Sequence, residues 1–351
     1  MTGSILVTGS SGFVGTALGE CLGARMLPCD VRTGRPIAAI VRSPEFNSVE
    51  TVVHCAAVQL FTPGCDLYRY ETFHRTNVEA LEMLLERCRQ VGVRKFIHIS
   101  TDMVYGVPPA HPIEENCPLQ PVGFYGYSKK LAEEAVLKNT PHIPVVTILR
   151  PRIIGGPGRA GLFRTLARAI QMGLPIPLFG DGHNPFQMIH VDDFVDLIME
   201  CIERDVPGIF NAGAQNVTTM RAKLLAIGAA LESRPHLIPL PEALAISVCQ
   251  ALYRLRLGLL HPEQFLTAGR PFVLSLDKTY AHFRWRPLHS DEDVVTETVR
   301  SSTDKISEDQ RPQSKYAAPK WIFPFVSPKL PSSRPNYAVS KETSQALKSH
   351  V

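Results

Sequence analysis

Ser4-Ile5-Leu6-Val7-Thr8-Gly9-Ser10-Ser11-Gly12-Phe13-Val14-Gly15 is the stretch whose reading decides the fold. Its first five residues are a short, mostly apolar run, consistent with a buried parallel strand. A glycine loop follows at once, and Thr16 to Leu22 reads as a helix. In that order the three pieces form a phosphate cradle. The missing side chains let the backbone approach a pyrophosphate, and the helix N-terminus stabilises its charge. The spacing G-x-x-G-x-x-G is a loose motif on its own; its place between a strand and a helix gives it weight. Gly9, Ser11, Gly12, Phe13, Val14 and Gly15 are therefore expected to bind a dinucleotide.

The pattern then repeats. Met26 to Asp30 reads as a second strand. An acid at its end accepts hydrogen bonds from the adenosine ribose hydroxyls and repels a 2′-phosphate, so Asp30 favours NAD. Arg32 and Arg35 just beyond offer pairing to a 2′-phosphate, which keeps NADP as the alternative. The segment from Thr33 to Glu50 reads as irregular. Thr51 to Ala57 is a buried strand whose last residues, Ala56 and Ala57, are small enough for a ligand to come close. Asn77 to Val91 is a helix with Val78, Leu81, Leu84, Leu85 and Cys88 on one stripe, closed by Gly92. Lys95 to Thr101 is a strand that ends in two hydroxyls, and Val145 to Arg150 another, stopped by Pro151. Strands alternating with helices imply an α/β fold, a Rossmann-type doubly wound parallel sheet over residues 1–150, with later segments returning to it. Ligands bind beyond the carboxyl ends of such strands, so the glycine loop, Ala56-Ala57 and Ser100-Thr101 should share one rim.

Tyr125-Gly126-Tyr127-Ser128-Lys129 opens a further helix, to about Lys138. Tyr125 and Lys129 then lie one turn apart on one face. A cation held against a phenol favours phenolate and lowers its pKa. A tyrosine so tuned exchanges a proton with a substrate hydroxyl near neutral pH.

Residues 151–301 read as a smaller α/β substrate-binding region. Leu162 to Met172 is a helix, Phe179 to Gly182 a turn and Met188 to Val191 a strand. Asp192 is placed to cap a helix through Cys201. Ile209 to Ala212 is a strand, Thr218 or Thr219 caps a helix to about Leu231, and Glu242 to Leu260 is an amphipathic helix. From 302 to 351 the chain is rich in Ser, Lys and Pro and reads as a disordered tail or a strap on the body. Lys320 to Phe325 is an apolar island within it.

Composition narrows the class. The 351 residues are 44% hydrophobic and 20% charged, within the ordinary globular range. No apolar run reaches the ~18 residues that span a bilayer, and Met1 to Ser4 leads straight into a strand without a signal peptide. The eight cysteines form no C-x-x-C, and no Cys/His spacing resembles a zinc site, so no metal is expected. Several cysteines lie in apolar, strand- or helix-like runs and read as small buried hydrophobes, which fits a reducing, cytoplasmic setting. Of 37 basic and 33 acidic residues, eight and four lie from Ser302 onward, which leaves the body neutral and argues against a nucleic-acid surface.

Taken together, the motifs resemble the extended short-chain dehydrogenase/reductase family in its epimerase/dehydratase branch, over about residues 4–300. They stand here as Thr8 to Gly15, His54-Cys55-Ala56-Ala57, Ser100 to Gly106, Tyr125 to Lys129, Leu149-Arg150-Pro151, Gly180-Asp181-Gly182 and His190-Val191-Asp192-Asp193. The resemblance implies that Tyr125 is the acid/base and that Lys129 lowers its pKa and holds the nicotinamide ribose. It also implies that Thr101 hydrogen-bonds the reacting oxygen, with Ser100 behind it, and that Pro151 lies at the cofactor. Family members often pair through the helices around Asn77–Val91 and Tyr125–Lys138, so a homodimer is a further expectation.

Departures shape the substrate. Members that eliminate water carry Asp-Glu after the threonine; here Met103 follows Asp102, which disfavours 4,6-dehydration. Nucleotide-sugar enzymes place an arginine near the position of Phe186 to grip the diphosphate, and Arg152, Arg159 or Arg164 would have to supply that charge. Gly180 to Asn184 also looks like the loop of 3β-hydroxysteroid dehydrogenase relatives, and the apolar Glu242–Leu260 region would suit a lipid-like substrate. The leading expectation is an NAD-dependent epimerase or oxidoreductase acting on a small molecule, a sugar and foremost a nucleotide sugar. A dehydrogenase of an apolar ring alcohol is the alternative. A non-catalytic dinucleotide-binding scaffold or redox sensor is the third.

Overall fold

The computed structural model describes residues 4–303, apart from 61, 63–64, 160 and 258–259. Beyond Thr303 the expected tail, with its apolar island, lies outside the described residues. β1 (Ser4–Thr8) runs into the glycine loop, and α1 (Phe13–Leu22) begins at Phe13 rather than Thr16. The loop is itself a tight turn, with Gly12 N donating to Gly9 O at 2.8 Å, so the helix starts as soon as the turn closes. β2 (Met26–Cys29) stops one residue short of Asp30. α2 (Ile37–Ile40) is a single turn inside the stretch read as irregular, and β3 (Val49–His54) starts at Val49 rather than Thr51.

The helix expected from Asn77 is longer. α3 (Tyr70–His74) and α4 (Ala80–Val91) are joined by a π-helical turn, Arg75–Glu79. Asn77 explains the wide turn. Its buried amide holds Val58 N and Val58 O at 2.8 and 2.9 Å and Ser128 Oγ at 2.9 Å, tying the helix to the neighbouring loop and to the next helix. π-turns of this kind are frequent at functional sites. β4 (Lys95–Ile99), α5 (Phe124–Lys138), β5 (Val145–Pro151) and β6 (Ile153–Gly155) follow.

Next come α6 (Leu162–Gln171), β7 (Pro175–Phe179), β8 (Met188–His190), α7 (Val191–Glu203) and β9 (Gly208–Ala212). α8 (Met220–Ala230), β10 (His236–Leu240), α9 (Glu242–Arg254), α10 (Pro262–Phe265), α11 (Asp277–His282) and α12 (Asp291–Thr303) complete the described chain.

The main sheet has six strands in the order β2-β1-β3-β4-β5-β9, every pair parallel. Strand order reverses between β1 and β3, which makes the crevice there a ligand site by topology. The strands alternate between two cores. Ile5 and Val7 join a cluster with Leu18 and Leu22 of α1 and Phe194, Leu197 and Ile198 of α7. Leu6 joins a cluster with Leu81, Leu84 and Leu85 of α4 and Ala132 and Val136 of α5. Helices on both faces of a parallel sheet are the Rossmann-type doubly wound arrangement. β9 and α7 return to this sheet from beyond residue 151. A third core joins Phe163 and Ile170 of α6, Ile176 of β7, Leu224 and Ile227 of α8, and Val294, Val295 and Val299 of α12.

Two expectations from local pattern change, and the structure selects between the two caps expected for α8. The cap of α7 is His190, whose Nδ1 accepts from Asp192 N at 3.2 Å; Asp192 is exposed in the first turn. Thr219, not Thr218, caps α8 through Ala222 N. The helix expected to reach Leu260 ends at Arg254. Its Leu244, Val248 and Leu252 are exposed and take no part in the apolar cluster around Tyr125. Among the described residues no helix is long and apolar enough to cross a membrane.

Candidate active site

The cradle is built by close backbone contact. A Cβ on Gly9 would lie 2.8 Å from Ala56 Cα, one on Gly12 3.0 Å from Gly9 O, and one on Gly15 2.2 Å from Gly9 O. Side chains at these three positions would fill the space in which backbone amides meet a pyrophosphate, so the residues present fit a dinucleotide. Gly9 also has φ +67°, where only glycine is unstrained. Ala56 is fixed at the same rim, its N–H donating to Thr8 Oγ1 at 3.2 Å, and Ala57 follows it there.

Asp30 is buried just past β2 and accepts from Arg32 N at 2.8 Å and from Ser11 N at 3.3 Å. Burial raises its pKa, but the hydrogen bonds from Arg32 and Ser11 together prevail and hold it below the usual carboxylate range. Arg35 is committed to Glu45, and Arg32 Nε lies 3.4 Å from Asp30 Oδ1. The end of β2 therefore presents an ionised carboxylate, which fits the arrangement expected for NAD.

Tyr125 and Lys129 lie on the buried face of α5, and Thr101 closes the loop after β4. The Thr101 hydroxyl, which donates to Asp102 Oδ1 at 3.0 Å, lies close enough to the phenol of Tyr125 to lower its pKa. The phenol is not lowered in the way the Tyr/Lys spacing implied. Burial raises its pKa well above the ordinary 10, and the charge of Asp102 adds to this. Thr101 and Arg159 oppose the rise, and Glu263 adds a smaller increment upward. Lys129 acts elsewhere in this arrangement: its Nζ donates to Ile99 O at 2.6 Å and lies 3.3 Å from His98 Nε2. Burial lowers the ammonium to about 8, against a smaller opposing pull from Glu133. Beneath it His98 stacks on His54 at 5.4 Å, and His54 Nδ1 lies 2.8 Å from Thr8 Oγ1. Both rings are held neutral, His54 at about 3, by burial first and by Lys129 second.

Several partners are invisible to sequence spacing. Ser100 Oγ donates to Glu133, which forms a buried fork with Arg150 at 3.0 and 2.6 Å, so this serine braces α5 against β5. Pro151 ends β5 against Ala212 of β9. Asp102 pairs with Arg152 at 2.5 Å, and that guanidinium lies between the rings of Phe186 and Phe272, 4.5 and 4.3 Å from their centroids. A cation thus meets the very phenylalanine that stands where an arginine was sought. Arg159 lies over Phe13 at 5.1 Å and reaches Gln59 Oε1 at 3.3 Å, so it stands at the reacting end of the crevice. Met103 packs with Val58, Leu60, Leu67, Phe73 and Phe124 around Tyr125.

His190, Asp192 and His289 bring donor atoms within 4.8 Å of one another. Both ring nitrogens of His190 are already used, by Asp192 N and by Glu297, so the cluster reads as a helix cap.

A glycine cradle at the switch point of a doubly wound sheet, with a buried Thr-Tyr-Lys set on the same rim, defines a dinucleotide-dependent class. Residues 5–213 match the NAD dependent epimerase/dehydratase family. Uncharacterized protein y4nG of Sinorhizobium fredii is 28% identical over 316 residues, 84% of this chain and 77% of that protein. The UDP-glucose 4-epimerase of Vibrio cholerae is 29% identical over 225 residues, 58% and 67% of the two chains. The structure of MoeE5 in complex with UDP-glucuronic acid and NAD superposes with a TM-score of 0.68 at 22% identity, covering 86% of this chain and 100% of that one, a likeness of fold. The chain belongs to the NAD dependent epimerase/dehydratase family, a branch of the extended short-chain dehydrogenase/reductase enzymes. NAD is that family's cofactor.

Proposed function

We propose that this chain is an NAD-dependent epimerase, or a closely related oxidoreductase, acting on a secondary alcohol or ketone of a nucleotide sugar. The observation that carries the reading is the burial of Tyr125 beside Thr101 at the rim of the glycine loop, with Lys129 one turn further along α5. NAD, when bound, supplies the hydride chemistry. Gly9, Ser11, Gly12, Phe13, Val14 and Gly15 would hold its pyrophosphate, Asp30 its adenosine ribose and Lys129 its nicotinamide ribose, with Ala56, Ala57, Ser100 and Pro151 forming the walls. Tyr125 gives and takes the proton of the substrate oxygen, and Thr101 orients both oxygens. Asp102 is engaged by Arg152 and Met103 carries no proton, so no second acid is free to expel water. Arg152 against Phe186 and Arg159 beside Tyr125 supply positive charge toward a sugar diphosphate.

The test is turnover of UDP- and GDP-hexoses followed by product separation, alongside NADH absorbance. The reading expects interconversion of epimers without net NADH, and Tyr125→Phe reduces the rate by roughly 10²–10⁴-fold. A Tyr125→Phe enzyme as fast as the parent sinks the assignment. One observation favours a second reading. The cluster of Val58, Leu60, Leu67, Phe73, Met103 and Phe124 gives Tyr125 an apolar wall, which suits an apolar ring alcohol. Net NADH formation with such alcohols, and none with nucleotide sugars, would select it.

A further inference from the structure

α5 begins at Phe124, so the amides of its first turn have no partner within the helix. Most helices meet this need with a side chain close in sequence. Here Gly123 is the cap residue and offers none. Instead Glu263, far along the chain in α10, reaches across. Its Oε1 accepts from Tyr125 N at 3.0 Å and from Gly126 N at 3.2 Å. The carboxylate is 4% exposed.

The fit is close. A Cβ on Gly123 would lie 2.1 Å from Glu263 Cδ, and a Cβ on Gly126 would lie 2.5 Å from Met103 O. Gly123 therefore leaves room for the Glu263 carboxylate, and Gly126 for the close passage of the backbone at Met103. α10 is itself held in place. His261 N donates to Gln264 Oε1 at 3.0 Å, Thr267 Oγ1 donates to Glu263 O at 2.8 Å, and Phe265 is buried.

We propose that Glu263 is a positioning residue for Tyr125: held by α10 of the substrate-binding region, its carboxylate clamps the first turn of α5 and sets part of the charge that the phenol meets. The inference rests on the role given to Tyr125 above. A carboxylate at the positive end of a helix is stabilised there and offsets the field that would otherwise favour phenolate. The charged groups facing Tyr125 are Asp102 from the turn after β4, Arg159 from the loop after β6 and Glu263 from α10, with the neutral hydroxyl of Thr101 beside them. Asp102 is the stronger negative neighbour but is paired with Arg152. Glu263 has only the amides it holds and its own burial, which pushes its carboxyl above the usual range against those hydrogen bonds. Because the clamp comes from the substrate-binding region, a shift of α10 moves the acid/base with it.

The experiment compares Glu263→Gln with Glu263→Ala in the NAD-loaded enzyme. Gln keeps an acceptor oxygen and removes the charge; Ala removes both. Glu263→Gln is expected to retain plateau kcat within about threefold while the ring-carbon NMR resonance of Tyr125 in tyrosine-labelled enzyme moves from its parental position, because a charge facing the phenol has been removed. Glu263→Ala is expected to lose about tenfold in kcat with KM little changed, and its Tyr125 and Gly126 amides to exchange hydrogen faster. The rates are read on whichever substrate class is turned over, so a failure of nucleotide sugars is separate from a failure of the clamp. The amide exchange needs no substrate at all. A Tyr125 ring-carbon resonance in Glu263→Gln that superimposes on the parent overturns the electrostatic role. Unchanged kcat and amide exchange in Glu263→Ala overturn the positioning role.

Discussion

Burial acts in opposite senses on Tyr125 and Lys129: it holds the phenol protonated and drives the ammonium toward neutrality, to about 8. Two consequences differ in sign. Between about 8 and the ordinary lysine value of 10.5 the unfolded chain binds a proton here that the folded one does not. Stability from this group therefore rises with pH across that window. The ammonium assigned to the ribose is present below about pH 8 and lost above it, so kcat/KM and NAD affinity are expected to fall there. Lys129→Met should be low throughout and lack that limb; a mutant that keeps the limb would assign it to another group. The Tyr/Lys pair was legible because both members lie on one helical turn. Asp102–Arg152 and Glu263–Tyr125 were not, since their members are 50 and 138 residues apart and only the fold joins them.

At the scale of elements the glycine loop and α1 behave as one unit. A Cβ at Gly15 has nowhere to go but into Gly9 O. Gly15→Ala is therefore expected to open the turn, at a cost of about 1–3 kcal/mol to stability, and to abolish tight NAD binding. Urea unfolding and an NAD titration check both, and parental values in each would contradict the cradle geometry. The main strands could be read from their apolar runs because both faces of a parallel strand are buried. β6 is only three residues long, β7 and β10 carry proline within their apolar runs, and β10 is largely exposed, so only their pairing reveals them. The π-turn before α4 left no trace in periodicity, because a single wide turn set by Asn77 barely disturbs the stripe. α12 was missed because three valines are set in a polar stretch, and their value comes from packing on α6 and α8.

Across the whole molecule β9 and α7 join the later region to the main sheet, and buried charge holds that region together. Asp291, at the start of α12, accepts from Lys223 Nζ at 2.8 Å, Met188 N at 2.8 Å and Thr218 N at 3.0 Å, drawing α12, α8 and β8 together. Removing one partner of such a pair strands the other. Asp291→Ala is expected to lose about 3–5 kcal/mol in denaturant unfolding, and a loss below about 1 kcal/mol would show that the pair adds little. The sheet order, the rim that gathers Gly9, Ala56, Thr101 and Tyr125, and the return of later segments to the sheet all fit the proposed plan, in which the first region would hold the cofactor and the second the substrate. An epimerase-type cycle returns what it takes, so its cofactor has no need to leave. The most direct measurement is to denature the purified protein and quantify released NAD(H) and NADP(H). Near one NAD(H) per chain, with little NADP(H), is the predicted result. Protein that releases no nucleotide and binds added NAD only weakly, or that carries NADP(H) instead, would contradict it.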